Sequence, residues 1–506
     1  MSQTSLRTLN DSRRSLLTLL ALLVLLLGLG IRLVDLTDPP LDFHATRQLR
    51  SAILARAAFF QFSHQGTLAE QQLSQNLANL EVYEPPILEN LVGGIDVLVG
   101  GEYFWIGRIV SAFFWVLGGA ALLLAGRRSG DLNAALIGLL FYLFLPFSVI
   151  ASRSFQPDPW MCAWILFTLL ALVRWVEKPD WKRAALAAFL GSVAILIKVF
   201  AAFYVGGILV GAAITTYGLK RFWRQAQVWG MGLLMLAPAL VYYLLINPQR
   251  SGGFLSFWTG SLIHLILTTN FYADWLAMIK NLTGLLPFGL ALLSALLAAP
   301  ALRGVLLGGW LGYGLFGLVF PYQYVTHEYY HLMLVPLMAL SLIPLTGVIL
   351  TALQKQPRLV QAASAIILVF AAFYGAYVSR SALVGNSYEN EPESWRRVGE
   401  ALPPGRPFIA LTADYGMRLN YFGWRSPSAM WPSGADYRLF ALAGEGDRDL
   451  KAEFEGRTAG MDYFLITALG EFENQPELKA HLEANYPLRV EGNGFLVFDL
   501  TGKGSR

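Results

Sequence analysis

Long apolar runs and a scarcity of charge predict an all-α, polytopic membrane protein. A change of composition near residue 381 predicts a small α/β domain after it. The chain has 506 residues, 55% of them hydrophobic and 14% charged, with a mean hydropathy of +0.49. Soluble domains carry about 25% charged residues, so this chain has too little charge to cover a water-facing surface of its size. Its apolar residues come in runs of the length that crosses a hydrocarbon layer. The net charge of +4 is spread along the chain and gives no basis for nucleic-acid binding. The lone cysteine, Cys162, forms no internal disulfide.

The first run, 15–33, follows Arg13 and Arg14. It is longer than a leader's apolar core and no small-residue cleavage site follows it, so a retained span is expected. About eleven spans are read by the same length criterion, near 15–34, 103–126, 132–152, 158–177, 184–199, 200–217, 228–246, 282–301, 304–321, 331–353 and 359–379. The stretch 184–217 has almost no polar break, and Lys198 marks its turn.

Lys and Arg in short loops set orientation. With the N-terminus inside, the inner segments hold Arg7, Arg13 and Arg14, Arg127 and Arg128, Arg174, Lys178, Lys182 and Arg183, then Lys220, Arg221 and Arg224, Arg303, Lys355 and Arg358. The short outer segments hold Arg153, Lys198, Arg250 and Lys280. This bias predicts a cytoplasmic N-terminus and, with an odd number of spans, an extracytoplasmic C-terminus.

Two outer segments are long. In 35–102, residues 43–62 show apolar spacing with Arg47, Arg50 and Arg56 interspersed, the pattern of an amphipathic interfacial helix. In 247–281 a second such helix is expected at 257–268. The expected division is a membrane domain, 1–380, with the long first outer loop 35–102, and an extracytoplasmic α/β domain, 381–506. Strands are expected at 408–411, 463–466 and 495–498, and helices at 393–402 and 476–485.

The spans carry few charges, whereas a transporter lines its path with polar groups. Polar residues instead gather at the outer surface. Pro39-Pro40-Leu41-Asp42 leads into Arg47-Gln48 just beyond the first span. Asp42 suits an N-cap as well as a catalytic carboxylate, and Arg47 suits snorkelling as well as binding. A second cluster is Tyr83-Glu84-Pro85-Pro86, with Arg108 inside the following apolar run, where a charge needs a partner or a function. A third is Arg153-Ser154-Phe155-Gln156-Pro157-Asp158. A fourth runs from Tyr322 through His327, Tyr329 and Tyr330 to His331. His327 and His331 have the spacing of a helix-borne metal pair, but no carboxylate-flanked zinc signature accompanies them, so no metal or other cofactor is expected.

These motifs, in this order, resemble the bacterial branch of the protein O-mannosyltransferase and aminoarabinose transferase superfamily. They are the outer-loop Asp42 with Arg47-Gln48, Glu84-Pro85-Pro86, Gly107-Arg108 in the second span, Arg153 to Asp158, and His327-Glu328-Tyr329-Tyr330. The resemblance covers about 1–380, and the C-terminal domain more loosely. It implies the GT-C glycosyltransferase fold in a bacterial inner membrane. The implied donor is a polyprenyl-phosphate sugar, and the acceptor a lipid, glycan or protein. It makes Asp42 the candidate base, with Arg47 and Gln48 beside it, Asp158 a second outer acid, and His327, Tyr329 and Tyr330 part of the substrate site. Glu84 stands where relatives often have Lys, and Phe43 where they often have Glu.

General chemistry agrees. A sugar on a lipid phosphate already has a good leaving group, so the protein must deprotonate the acceptor hydroxyl and hold the departing phosphate. Asp42 suits the first task, and Arg108 or Arg153 the second. One displacement inverts the anomeric carbon. The competing readings are a transporter or flippase of lipid-linked sugars and a non-catalytic envelope assembly subunit.

Overall fold

The computed structural model describes residues 3–129, 131–248, 256–445 and 449–502. Arg250, counted above among the outer cations, lies outside them. The described chain forms two compact units. The first comprises Met1–Leu36, Tyr83–Leu88 and Trp105–Asn386; the second comprises Thr37–Val82, Glu89–Phe104 and Ser387–Arg506.

The first unit is helical, and its helices fall on the expected spans. Seven are long and apolar enough to cross a membrane: Ser15–Arg32, Phe104–Gly126, Pro157–Glu177, Ala226–Ile246, Pro300–Val319, Glu328–Leu353 and Arg358–Leu383. The expected span 132–152 is broken. Leu132–Phe144 and Pro146–Arg153 meet at 60°, because Pro146 has no N–H to continue the ladder and starts a new helix at its own first position. The expected span 282–301 is the shorter helix Leu285–Ala295, since Pro300 opens the next helix. The helix expected at 257–268 is present as a π-helical turn, Ser256–Ser261, followed by a 3-10 turn, Ile263–Leu267, and together they bend by 100° from the helix Thr269–Leu282. Counting each bent pair as one span gives up to nine, with Ala201–Tyr217 and Leu285–Ala295 as shorter apolar helices. This is a multi-pass membrane protein.

The tightest helix pair is Ala201–Tyr217 against Pro300–Val319. Glycines at four-residue spacing face each other there, so the two backbones touch. A Cβ on Gly308 would lie 2.0 Å from the Gly207 carbonyl oxygen, and one on Gly211 would lie 2.0 Å from that of Gly304. Such small-residue seams replace the hydrophobic driving force that lipid removes. Gly308→Ala must push the helices apart and is expected to cost about 3 kcal/mol. Gly206→Ala, whose Cβ would meet nothing within 4 Å, should be neutral. Thermal unfolding of the two variants in detergent checks this.

The second unit is built on a five-stranded sheet. Its strands are β1 (Phe408–Leu411), β2 (Ala429–Met430), β3 (Tyr463–Ile466), β4 (Leu488–Gly492) and β5 (Phe495–Asp499), in the order β2-β1-β3-β5-β4. β1 runs parallel to β2 and β3, and β5 runs antiparallel to β3 and β4. Trp395, Leu419, Leu465 and Val497 fill one face; Trp431, Phe464, Leu482 and Phe498 fill the other. The expected helices are present as Glu391–Ala401 and Pro476–Asn485.

This unit is larger than the segment 381–506, because 37–82 and 89–104 belong to it. The helix Ala45–Ser63 is buried on most of its sides, which corrects the expectation of a helix with one wetted face. It is held by polar pins. Ser51 donates to Glu89 at 2.8 Å. Arg56 donates to Glu102 at 2.9 Å and to the Tyr421 carbonyl at 2.7 Å, and its guanidinium lies 3.9 Å and 4.3 Å from the ring centroids of Tyr421 and Trp424.

Asp96 is buried near this cluster and accepts from the Tyr103 N–H at 3.2 Å. Desolvation, aided by the Glu102 charge, pushes its carboxyl up from 3.8 to about 7. The folded state therefore keeps a proton that the unfolded chain releases above pH 3.8. Stability is full below that pH and falls as pH rises towards about 7. Asp96→Asn should remove this fall and raise the melting temperature at pH 8 by a few degrees, as roughly 1 kcal/mol moves Tm by about 2–4 °C in a unit of this size. At pH 4 the variant and the natural chain should melt together.

Candidate functional site

Three arginines secure the end of the first span. A helix C-terminus presents carbonyls that the helix itself cannot satisfy, and cations suit that negative end. Arg153 donates to the carbonyls of Val34 (2.5 Å) and Asp35 (2.7 Å), and Arg108 to that of Leu36 (3.0 Å). Both are 1% exposed. Arg32, one turn earlier, bonds the Gly28 and Leu143 carbonyls and the hydroxyls of Ser148 and Ser152. Arg32 thereby joins the first helix to both arms of the helix broken at Pro146. Gly107 lets Phe155 approach, since a Cβ there would lie 2.3 Å from that ring. Two of the motifs noted in the sequence, Gly107-Arg108 and Arg153 to Asp158, thus pack together.

Asp158 sits in the first turn of Pro157–Glu177, where the helix dipole favours a carboxylate. It does not cap that helix: Gln156 holds the cap position. Both Asp158 oxygens accept from the Lys198 ammonium, each at 2.8 Å, and the pair is 1% exposed on both sides. Lys198 lies where Trp181–Ile197 ends and Ala201–Tyr217 begins. Its ammonium is 5.0 Å from the ring centroid of Tyr330, 5.1 Å from Tyr329 and 5.6 Å from Phe200. The His327 ring stands 5.6 Å from Tyr329 and 6.1 Å from Tyr330. The first unit thus gathers Asp158, Lys198, Tyr329, Tyr330 and His327 around one buried ion pair.

His331 is no part of a metal pair with His327. Its Nδ1 is bonded to the Tyr313 hydroxyl (2.8 Å) and its Nε2 to the Tyr324 carbonyl (2.7 Å), while His327 lies outside that turn, against Thr326. Among the described residues, no group of three or more His, Cys, Asp or Glu is arranged to hold a metal ion.

In the second unit, Gln48 donates to the Asp42 carboxylate at 2.9 Å and to the Phe43 carbonyl at 2.8 Å. Asp42 is not the N-cap of Ala45–Ser63. That place is taken by His44, in the left-handed region at φ 46°, so the capping account of Asp42 falls away. Arg47 lies on the first turn of the same helix. Glu84, half-buried, belongs to the first unit.

Two residues escaped the sequence reading. Lys198 stood out as the one charge in a long apolar run, and that isolation is the signal of a partnered group; only the fold shows that the partner is Asp158, 40 residues earlier. Gln156 is fully buried, and neither its amide oxygen nor its nitrogen has a partner among the described residues. A buried amide left unpaired costs about 1–3 kcal/mol, which makes Gln156, beside Asp158, a candidate to bind a ligand. Gln156→Met is expected to melt at the same temperature or higher, yet to weaken a ligand held there about tenfold or more, the weight of one such hydrogen bond. Parallel melting curves and polyprenyl-phosphate binding check it.

The chain is similar to known proteins. Residues 84–243 match the sequence model of the family described as dolichyl-phosphate-mannose-protein mannosyltransferase. No curated protein matches the chain. The crystal structure of ArnT from Cupriavidus metallidurans bound to undecaprenyl phosphate superposes with a TM-score of 0.53 at 15% identity, covering 98% of this chain and 99% of that one. The oligosaccharyltransferase of Archaeoglobus fulgidus superposes at 0.54 and 13% identity, over 88% of this chain and 69% of its own; a further structure of it, AglB with an inhibitory peptide and a dolichol-phosphate, gives 0.52. The resemblance read from the motifs holds in three dimensions: this chain carries the fold of the GT-C glycosyltransferases.

Proposed function

We propose that the chain is an inverting membrane glycosyltransferase that moves a monosaccharide from a polyprenyl-phosphate donor to an acceptor hydroxyl. The observation that carries this is the buried Asp158–Lys198 pair within its aromatic surround. Lipid-linked donors are supported by the fold shared with ArnT, which was crystallised with undecaprenyl phosphate, and with AglB, whose structure is in complex with a dolichol-phosphate.

In such a transfer, the phosphate gains negative charge as its bond to the anomeric carbon breaks. A fixed cation in a low-dielectric site stabilises that charge most where it develops. Lys198 is such a cation, and Asp158 holds it in place. Both Asp158 oxygens are engaged by the Lys198 ammonium, so Asp158 is the positioning residue. Arg108 and Arg153 hold the end of the first span, so the leaving-phosphate role passes from them to Lys198. Asp42, oriented by Gln48, takes the acceptor proton; the hydroxyl oxygen attacks opposite the phosphate and the anomeric configuration inverts. Tyr329, Tyr330 and His327 line the donor sugar, and Arg47 and Glu84 contact substrate. The charge bias supports a cytoplasmic N-terminus and an extracytoplasmic C-terminal domain, 381–506, in a bacterial inner membrane.

Mass spectrometry of envelope lipids, glycans and proteins from cells with and without the chain tests this reading. One acceptor should lose one sugar when the chain is absent. A missing or accumulated lipid-linked intermediate, with every acceptor intact, would instead favour transport.

A further inference from the structure

The chain leaves β1 for β2 on one side and then crosses to β3 on the other, so strand order reverses at β1. In sheets of this kind, ligands bind beyond the carboxyl ends of the strands at the point of reversal. A cavity of about 330 Å³ lies there, lined by residues that follow β1 (Thr412, Asp414), β2 (Trp431, Ser433) and β3 (Ala468, Glu471). Its volume falls at the small end of known ligand sites.

We propose that this cavity binds a non-phosphorylated sugar ring. Asp414, Asp436 and Glu471 line it, with Arg457 the one cation among the described lining residues. Arg457 is paired with Glu453 at 2.8 Å and Asp414 with Arg418 at 2.6 Å, which leaves the carboxylates of Asp436 and Glu471 without a cation from the lining. The helix Gly434–Leu442 starts at the cavity, and a helix start ordinarily attracts phosphate. Here three of its donors are already taken: the Gly434 N–H bonds Glu471 at 2.9 Å, the Ser433 N–H bonds Asp436 at 2.8 Å, and the Asp436 N–H bonds the Ser433 hydroxyl at 3.3 Å. An anion would therefore meet carboxylates in place of free N–H groups. A ligand rich in donors fits instead. Glu471 accepts from Gly434 with Oε2, and its Oε1 has no hydrogen-bond partner among the described residues, so it can accept from a hydroxyl or an ammonium. Met430, Trp431 and Phe440 supply the apolar wall for the C–H face of a pyranose. In an enzyme of the class proposed above, the ring belongs to the acceptor; only that last assignment rests on the proposed function.

Saturation-transfer NMR on the full chain in detergent tests the cavity directly, with methyl glucoside, methyl glucosaminide and glucose 6-phosphate as probes. Both glycosides should bind, and the sugar phosphate at least about tenfold more weakly. Ala468→Phe should abolish the signal by filling the cavity. Glu471→Gln keeps the bond to Gly434 and so the fold; it should weaken the glucosaminide about tenfold, the worth of one charge-assisted hydrogen bond. The proposal is overturned if neither glycoside binds, if both variants bind as the natural chain does, or if the phosphate binds equally well. Transfer is assayed separately, so an inactive chain that still binds glycosides would refute the proposed function and leave the cavity standing.

Discussion

Lys198→Met is expected to destabilise the membrane unit by roughly 3–5 kcal/mol and to abolish transfer, because it strands the buried Asp158 carboxylate without its cation. Stability alone does not separate a structural ion pair from a functional one. The double variant Lys198→Met, Asp158→Leu does. Replacing a buried pair with apolar residues of similar volume is often neutral or stabilising, so the double variant should melt near the natural temperature. If Lys198 stabilises the leaving phosphate, transfer stays down by about 10²–10³-fold, the usual loss on removing one preorganised donor. Recovery of transfer along with stability would reduce the pair to a structural strut. Thermal melts and transfer rates on the same preparations decide between them.

Asp42→Asn is expected to fold normally and transfer sugar at least ~100-fold more slowly, the typical cost of losing a positioned general base. The amide keeps an oxygen for Gln48 to donate to, as the carboxylate does at 2.9 Å. Since His44 holds the helix N-cap, the substitution removes no cap. A merely structural Asp42 predicts about 1 kcal/mol of lost stability at most, with turnover retained. Asp158→Asn is the companion variant. If it abolishes transfer while Asp42→Asn does not, the base has been assigned to the wrong acid.

The spans were legible because lipid demands long, uncharged runs. The break at Pro146 was not, since 132–152 is apolar throughout and a proline at a helix start looks like one inside a helix. β2 and β4 were missed for another reason. β2 has two residues, and β4 is a largely exposed strand with no apolar run. The site was legible as isolated polar residues and not as bonds. Asp158, Tyr329 and Tyr330 could be named from their motifs, but that all three face Lys198 depends on helices far apart in sequence. The arginines were legible as charges in apolar runs but not as bonds: Arg32, Arg108 and Arg153 are buried and donate to backbone carbonyls and serines around the end of the first span. Arg56, read as part of an interfacial face, proved to be sandwiched between two rings whose positions some 365 residues later no local pattern could reveal.

The most direct test of the central claim is release of the lipid carrier. The purified chain, reconstituted in liposomes with a set of polyprenyl-phosphate sugars and an envelope extract as acceptor, should release one polyprenyl phosphate for each sugar transferred, with inversion at the anomeric carbon, and the Lys198→Met, Asp158→Leu variant should release none above background. Sugar-linked lipid that crosses the bilayer intact, with no free polyprenyl phosphate formed by the natural chain, would contradict it.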